Sequence, residues 1–143
     1  MSVHTAVLSL VVDGALGAWL GVMAFFSFVG APRAFAVFED RGGEYVNDVF
    51  PRYYRVGVGL GAVAFAAALV LGYLTGYGEA TLVVLASSAV AVLLAGYSAL
   101  VLIPKMEAAG DEGFERYHRQ SVVLNGLTML AVAAGLVGSH LPT

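Results

Sequence analysis

The last apolar segment of the chain carries a stripe of polar side chains. The stripe consists of residues spaced three, four and three apart, namely His118, Ser121, Asn125 and Thr128. This spacing places all of them on one face of an α-helix. Because polar groups are costly in an apolar setting, they mark a functional site or a contact between helices. An imidazole, a hydroxyl and an amide can together donate and accept hydrogen bonds.

Other apolar segments carry polar residues at a similar distance from their charged ends, counting 1.5 Å per residue. The candidate ligand groups are His118, Ser121, Asn125, Tyr97, Ser27 and Arg55. We predict a small pocket that opens to the cytoplasm and binds or passes an unknown small solute or ion. Three alternatives remain open. The stripe forms structural hydrogen bonds between helices, the protein binds a partner through residues 32–52, or His118 is a ligand of a metal or haem in a membrane redox protein.

The composition shows what must position these residues. Of 143 residues, 59% are hydrophobic and 12% are charged, and the mean hydropathy is +0.85. Since a soluble domain of about 150 residues buries only about 70% of its surface, an ordinary soluble enzyme is excluded. The net charge of -3 excludes nucleic acid as a partner, and the absence of Cys excludes thiolate chemistry. We find no enzyme motif and no required cofactor, so we expect no catalysis.

Charged residues interrupt the apolar sequence at intervals that fit membrane helices. Uninterrupted uncharged stretches of 19, 23, 25 and 24 residues follow Asp13, Arg55, Glu79 and Arg119, and a span needs about 20 residues. The sequence predicts an all-α integral membrane four-helix bundle, up-down-up-down, formed by one domain, residues 1–143. The spans are expected near 5–31, 53–75, 80–103 and 118–139, with connections 32–52 and 104–117.

The basic residues all lie on one side of this predicted topology. All seven Lys and Arg flank or occupy the connections 32–52 and 104–117, and the positive-inside rule assigns that side to the cytoplasm. Both termini are therefore expected outside a multi-pass protein of the cell membrane, whose main partner is the lipid bilayer. Apolar residues alternate with charges in 32–52, which predicts a short amphipathic helix on the membrane interface. We interpret 104–117 as a solvated loop.

Small residues recur along each predicted span, because close backbone approach drives helix packing in lipid. Gly17 and Gly21 on the first span, and Gly57 and Gly61 on the second, are expected at contacts within the bundle. Alternatively, Gly17 and Gly21 form the seam of a homo-oligomer.

Short motifs along the chain resemble the transmembrane protein 205-like family, domain of unknown function 4149. The motif residues are Pro32 after a Phe-rich helix end, Phe50, Pro51 and Tyr53 at a helix start, Pro104 after the third span, and Tyr117, His118, Ser121 and Asn125 on the fourth. The resemblance implies a four-helix membrane protein without an established biochemical activity. The polar stripe coincides with the fourth-helix motif, which favours a functional pocket.

Overall fold

The computed structural model describes residues 1–142, and this part of the chain is all-α, as predicted, with no strand. Ser2 caps the first helix by accepting a hydrogen bond from the Thr5 N–H. The helices are α1 Val3–Phe25, α2 Ala31–Phe38, α3 Gly42–Thr75, α4 Glu79–Tyr97 and α5 Ile103–Gly138.

The helices join into two long helical runs. Within residues 1–142, Val3–Thr75 and Glu79–Gly138 are the two runs long and apolar enough, by length and composition, to cross a membrane. The runs are separated at Gly76, whose φ of +91° is accessible to glycine but not to most other residues. After this turn, the Tyr77 hydroxyl donates to the Leu69 carbonyl at 3.1 Å, which ties the turn to the end of α3.

A π-helical turn interrupts each run just before a proline. The turns are Phe26–Gly30 and Ser98–Leu102, and Pro32 and Pro104 are the second residues of the helices that follow. Because proline has no N–H, a carbonyl in each preceding turn loses its usual helical partner. The wider turn is the local response, and π turns of this kind are frequent at functional sites.

The two predicted connections are largely helical. α3 already begins at Gly42, so Pro51 lies inside this helix and not at its start. The interpretation of 104–117 as a loop was wrong, because α5 begins at Ile103 and is broken only at Gly110, with φ +62°. The segment has good helix formers on both sides of that glycine, so its charges are solvated along a helix and do not require a loop.

Two glycines of α3 pack against another helix, whereas the glycines of α1 do not. A Cβ at Gly57 would lie 2.9 Å from Trp19 Cε2, and one at Gly61 would lie 3.1 Å from Trp19 Cη2, so both glycines make room for the buried indole. The expectation for Gly17 and Gly21 was wrong. Within residues 1–142, no neighbouring atom lies within 4 Å of a Cβ built at either glycine. Gly17 is half-buried, and Gly21 is exposed beside an open groove between α1 and α3.

Four of the helices surround a common core. Contacts join α1 to α3, α3 to α4, α4 to α5 and α5 to α1. The first turns of α1 and α4 meet the last turns of α3 and α5 around one cavity. At the other end, the π turn after α1 meets the first half of α3 and the middle of α5 around a second cavity.

Candidate functional site

The second cavity is a cleft between the end of α1, α2 and the middle of α5, with α3 as its floor. Its volume is about 420 Å³, which is in the range of small-molecule sites. Most of its wall is apolar, and the polar groups are few and convergent. It is lined by Phe26, Ser27, Phe28, Ala31, Pro32, Phe35, Phe50, Tyr53, Tyr54, His118, Ser121, Val122, Asn125, Gly126 and Met129.

The Asn125 amide joins three helical segments at the wall of this cleft. Its Oδ1 accepts a hydrogen bond from the Tyr53 hydroxyl at 2.6 Å. Its Nδ2 donates to Ser27 Oγ at 2.7 Å. The carboxamide is therefore held in one orientation by partners 72 and 98 residues away in the chain. Nδ2 also donates to Met129 Sδ of the same helix at 3.9 Å, so one lone pair of Oδ1 remains for a further partner.

The π turn positions Ser27 for this contact. Ser27 is the second residue of the turn Phe26–Gly30, where the helix is wider than an α-helix. The Ala31 N–H bonds to the Phe26 carbonyl and so closes the turn. The proline that follows, Pro32, also lines the cleft. The same local feature therefore places both a polar and an apolar element of the wall.

Aromatic rings form the floor beside the amide. The Phe26 ring centroid lies 4.8 Å from that of Tyr53 and 5.7 Å from that of Phe50. Tyr54 lies 5.1 Å from Tyr53 in an edge-to-face arrangement. Such geometries are the preferred ones for aromatic pairs. The floor is therefore rigid, and it presents ring faces and edges to the cavity.

His118 and Ser121 complete the polar side of the cleft on α5. The imidazole stacks on the Phe114 ring, with centroids 5.3 Å apart and planes inclined by 12°. His118 is half-buried, and Ser121 is buried. Thr128, the last member of the predicted stripe, instead donates to the Leu124 carbonyl of its own helix.

The structure brings together four of the six predicted ligand residues. Ser27, His118, Ser121 and Asn125 line the cleft. The other two do not reach it. Tyr97 lies on a separate shallow groove beside Arg119, and Arg55 is exposed. Their depth along the helix was similar to that of Asn125, but their helix faces point elsewhere.

The residues of the family motifs fall into two groups. Pro32, Phe50 and Tyr53 line the cleft, whereas Pro51 and Pro104 are exposed helix residues. Tyr117 lies under the Arg116 guanidinium, 5.6 Å from the ring centroid. Sequence reasoning missed Phe26 and Tyr54 as wall residues. Their signal was the density of aromatic residues in 25–35 and 50–54.

A second polar contact lies at the opposite end of the helices. Asp13 Oδ1 accepts from the Ser139 hydroxyl at 2.8 Å, and Oδ2 lies 3.2 Å from His140 Nε2. The contact ties α1 to the end of α5. Within residues 1–142, no group of three His, Cys, Asp or Glu side chains is placed to hold a metal ion.

The described part of the chain is an all-α protein with apolar helices long enough to span a membrane, and it contains an apolar cleft with a few polar groups. The family described as "Domain of unknown function (DUF4149)" matches residues 14–115. An "Uncharacterized protein" of Aquifex aeolicus (strain VF5) is 33% identical over 126 residues, which cover 85% of this chain and 88% of that protein. No solved structure matches. The chain therefore belongs to the family of domain of unknown function 4149. The matched range includes Ser27 and Tyr53 and ends before His118 and Asn125.

Proposed function

We propose that this protein is an integral membrane four-helix bundle whose cleft binds a small neutral molecule. In this proposal α1, α3, α4 and α5 span the bilayer up-down-up-down, with α2 on the cytoplasmic interface and both termini outside. Apolar helices of sufficient length support the spans, and the ring of helix contacts supports the bundle. All seven Lys and Arg then lie at the end that contains the cleft, which supports a position of the cleft in the cytoplasmic half of the membrane.

The observation that carries the binding proposal is the Asn125 amide held between Tyr53 and Ser27 at the wall of an apolar cavity. A few convergent polar groups in an otherwise apolar cavity are typical of ligand sites, where they fix the orientation of the ligand. Among the described residues, the lining contains no Asp, Glu, Lys or Arg. Apart from the His118 imidazole, the lining offers no counter-ion, so a ligand that carries a fixed charge is disfavoured and a neutral one is favoured.

Binding is favoured over passage of a solute through the bundle. The cleft and the cavity beside Asp13 lie at opposite ends of the helices. The helix segments between them carry the buried side chains of Leu16, Trp19 and Val132.

A catalytic role is not part of the proposal. The face of α1 with Gly17 and Gly21 leaves a homo-oligomer as a separate proposal.

The test is retention of a bound compound by protein purified in native lipid discs. Small molecules extracted from wild-type protein are compared by mass spectrometry with those from Asn125→Leu, which removes the amide. We expect wild-type protein to retain at least one neutral compound, at close to one molecule per protein chain. The variant should lose this compound.

The control is Gln120→Leu, which removes an amide from the same helix outside the cleft, at an exposed position. We expect this variant to retain the compound. Equal retention by wild type and Asn125→Leu, with both proteins folded by circular dichroism, would contradict the proposal.

A further inference from the structure

The two helical runs repeat one order of features. In the first run a π turn is followed by Pro32, a break at Glu39 with φ +50°, and the long helix α3. In the second run a π turn is followed by Pro104, a break at Gly110 and the long remainder of α5. Each run is therefore a hairpin-like unit of the same design.

The sequence supports this correspondence at the start of the returning helices. Residues 50–55 are FPRYYR, and residues 114–119 are FERYHR. Both share Phe-x-Arg-Tyr-x-Arg, which pairs Tyr54 with His118. The two π turns lie 72 residues apart and the two hexapeptides 64 residues apart, so the second unit has a connection eight residues shorter.

The correspondence shows where the two units differ, and the differences fall at the cleft. Ala31 lines the cleft, whereas its counterpart Ile103 is larger and is buried in the core, with 6% of its surface exposed. Ser121 and Asn125 line the cleft, but their counterparts Gly57 and Gly61 pack against Trp19. The cleft therefore forms where one unit has a small residue and the other has two polar residues. At the corresponding positions, the larger Ile103 replaces the small residue and two glycines replace the polar ones.

The outer rim of the cleft faces away from the core. Phe28 of the π turn is 73% exposed and Val122 of α5 is 57% exposed, and both line the cleft. They lie on either side of an opening between the π turn and α5. Since both rim residues are apolar, this opening suits hydrocarbon better than water. A ligand that dissolves in the bilayer can therefore enter from the side.

The inner wall selects the chemistry of the ligand. Ser27 and His118 can donate hydrogen bonds to a carbonyl or hydroxyl oxygen, and Asn125 Oδ1 can accept one. The rings of Phe26 and Tyr53 supply surfaces for a flat ring. A plain acyl chain would use none of these donors. Apart from the His118 imidazole, a charged headgroup would find no counter-ion among the described lining residues.

We propose that the cleft binds the ring of a neutral, membrane-dissolved amphiphile of the quinone class, which enters sideways between the π turn Phe26–Gly30 and α5. The inference rests on the proposed function, because it specifies the ligand of the same cleft.

The experiment uses the full chain in lipid nanodiscs and a decyl-chain azidobenzoquinone as photoaffinity probe. After illumination, labelled peptides are mapped by mass spectrometry. We expect labels in 26–35 and 118–129, and we expect excess decylbenzoquinone to compete for them. n-Decanol, with the same chain and no ring, should not compete.

Ala31→Ile places the side chain of the counterpart residue in the cleft. Since one carbon more or less in an apolar pocket changes affinity about tenfold or more, we expect labelling to fall by at least that factor. Ala36→Ile is the matched control, because Ala36 is exposed on the same helix and is not part of the lining. Its labelling should equal that of wild type.

Three other outcomes would each overturn a different part of the two proposals. Equal competition by n-decanol and decylbenzoquinone would overturn the quinone class, while retention of a compound that depends on Asn125 would keep the cleft as a binding site. Equal labelling of Ala31→Ile and wild type would overturn entry into the cleft. Absence of cleft labels, together with unchanged retention in Asn125→Leu, would overturn both proposals.

Discussion

The residue with the largest structural consequence is Asn125, because its side chain bonds to two other helical segments. Hydrogen bonds between helices in lipid contribute about 0.6 kcal/mol on average and up to about 1.7 kcal/mol. We therefore expect Tyr53→Phe to lower the free energy of unfolding by about 1 kcal/mol. In an Asn125→Ala background the same change should cost close to nothing, because the acceptor is already absent. Reversible unfolding in mixed micelles measures both differences.

Tyr97 provides the control for this double-mutant cycle. It is an exposed tyrosine outside the cleft, so Tyr97→Phe should have the same small effect in both backgrounds. The coupling between Tyr53 and Asn125 would be refuted by equal costs of Tyr53→Phe with and without the amide. The cycle separates hydrogen bonding from the aromatic packing of Tyr53, since Phe keeps the ring.

Side-chain direction limited what the sequence could predict at this scale. Spacing along α5 placed His118, Ser121 and Asn125 on one face, because helical periodicity is a local property. The same reasoning included Tyr97 and Arg55 by depth alone. Their faces depend on how each helix is rotated against its neighbours, which is set by contacts such as that between Trp19 and Gly57. Those contacts are not encoded in spacing within one helix.

At the scale of elements, we expect alanine substitutions of a glycine in α1 and of a glycine in α3 to have opposite effects on the free energy of unfolding. Gly57→Ala should lower the free energy of unfolding by about 1–3 kcal/mol, because overpacking a filled contact costs that much. The clash is with the Trp19 indole, 2% exposed. Gly17→Ala should be neutral or stabilise by up to about 1 kcal/mol, since alanine favours the helix and meets no neighbour.

The two alanine variants control for each other, because each adds one methyl group to a helical glycine. Unfolding in mixed micelles gives the two free energies. An equal loss in both variants would mean that the Gly17 face of α1 is packed in the assembled protein. In that case cross-linking should show a homo-oligomer that Gly17→Ala disrupts and Gly57→Ala does not.

Element type was predictable, and element boundaries near prolines were not. The apolar stretches between charges predicted helices because a single segment can pair all of its backbone N–H and C=O groups only as a helix. The π turns before Pro32 and Pro104 were missed, although both prolines were noted as motif residues. A proline can begin a helix, kink it or widen the turn before it. Which of these occurs depends on packing beyond the segment.

At the scale of the molecule, the charge distribution makes the last prediction. All seven Lys and Arg belong to the end that holds the cleft, so this end should face the cytoplasm. Alkaline phosphatase, which is active only outside the cytoplasm, should be active when fused after the C-terminus and inactive when inserted at Gly110. Green fluorescent protein at the same two places should give the reverse pattern. A fluorescent C-terminal fusion would contradict the topology.

The same reporter fusions show which cations set the orientation. The first helix usually dominates topology, and basic residues near its end count most. We therefore expect Arg33→Gln with Arg41→Gln to give a mixture of orientations, seen as partial activity of both reporters. Arg116→Gln with Arg119→Gln removes the same charge farther along the chain and should leave the orientation unchanged. If the second pair reversed the protein and the first did not, the helical run Glu79–Gly138 would insert first and direct the whole molecule.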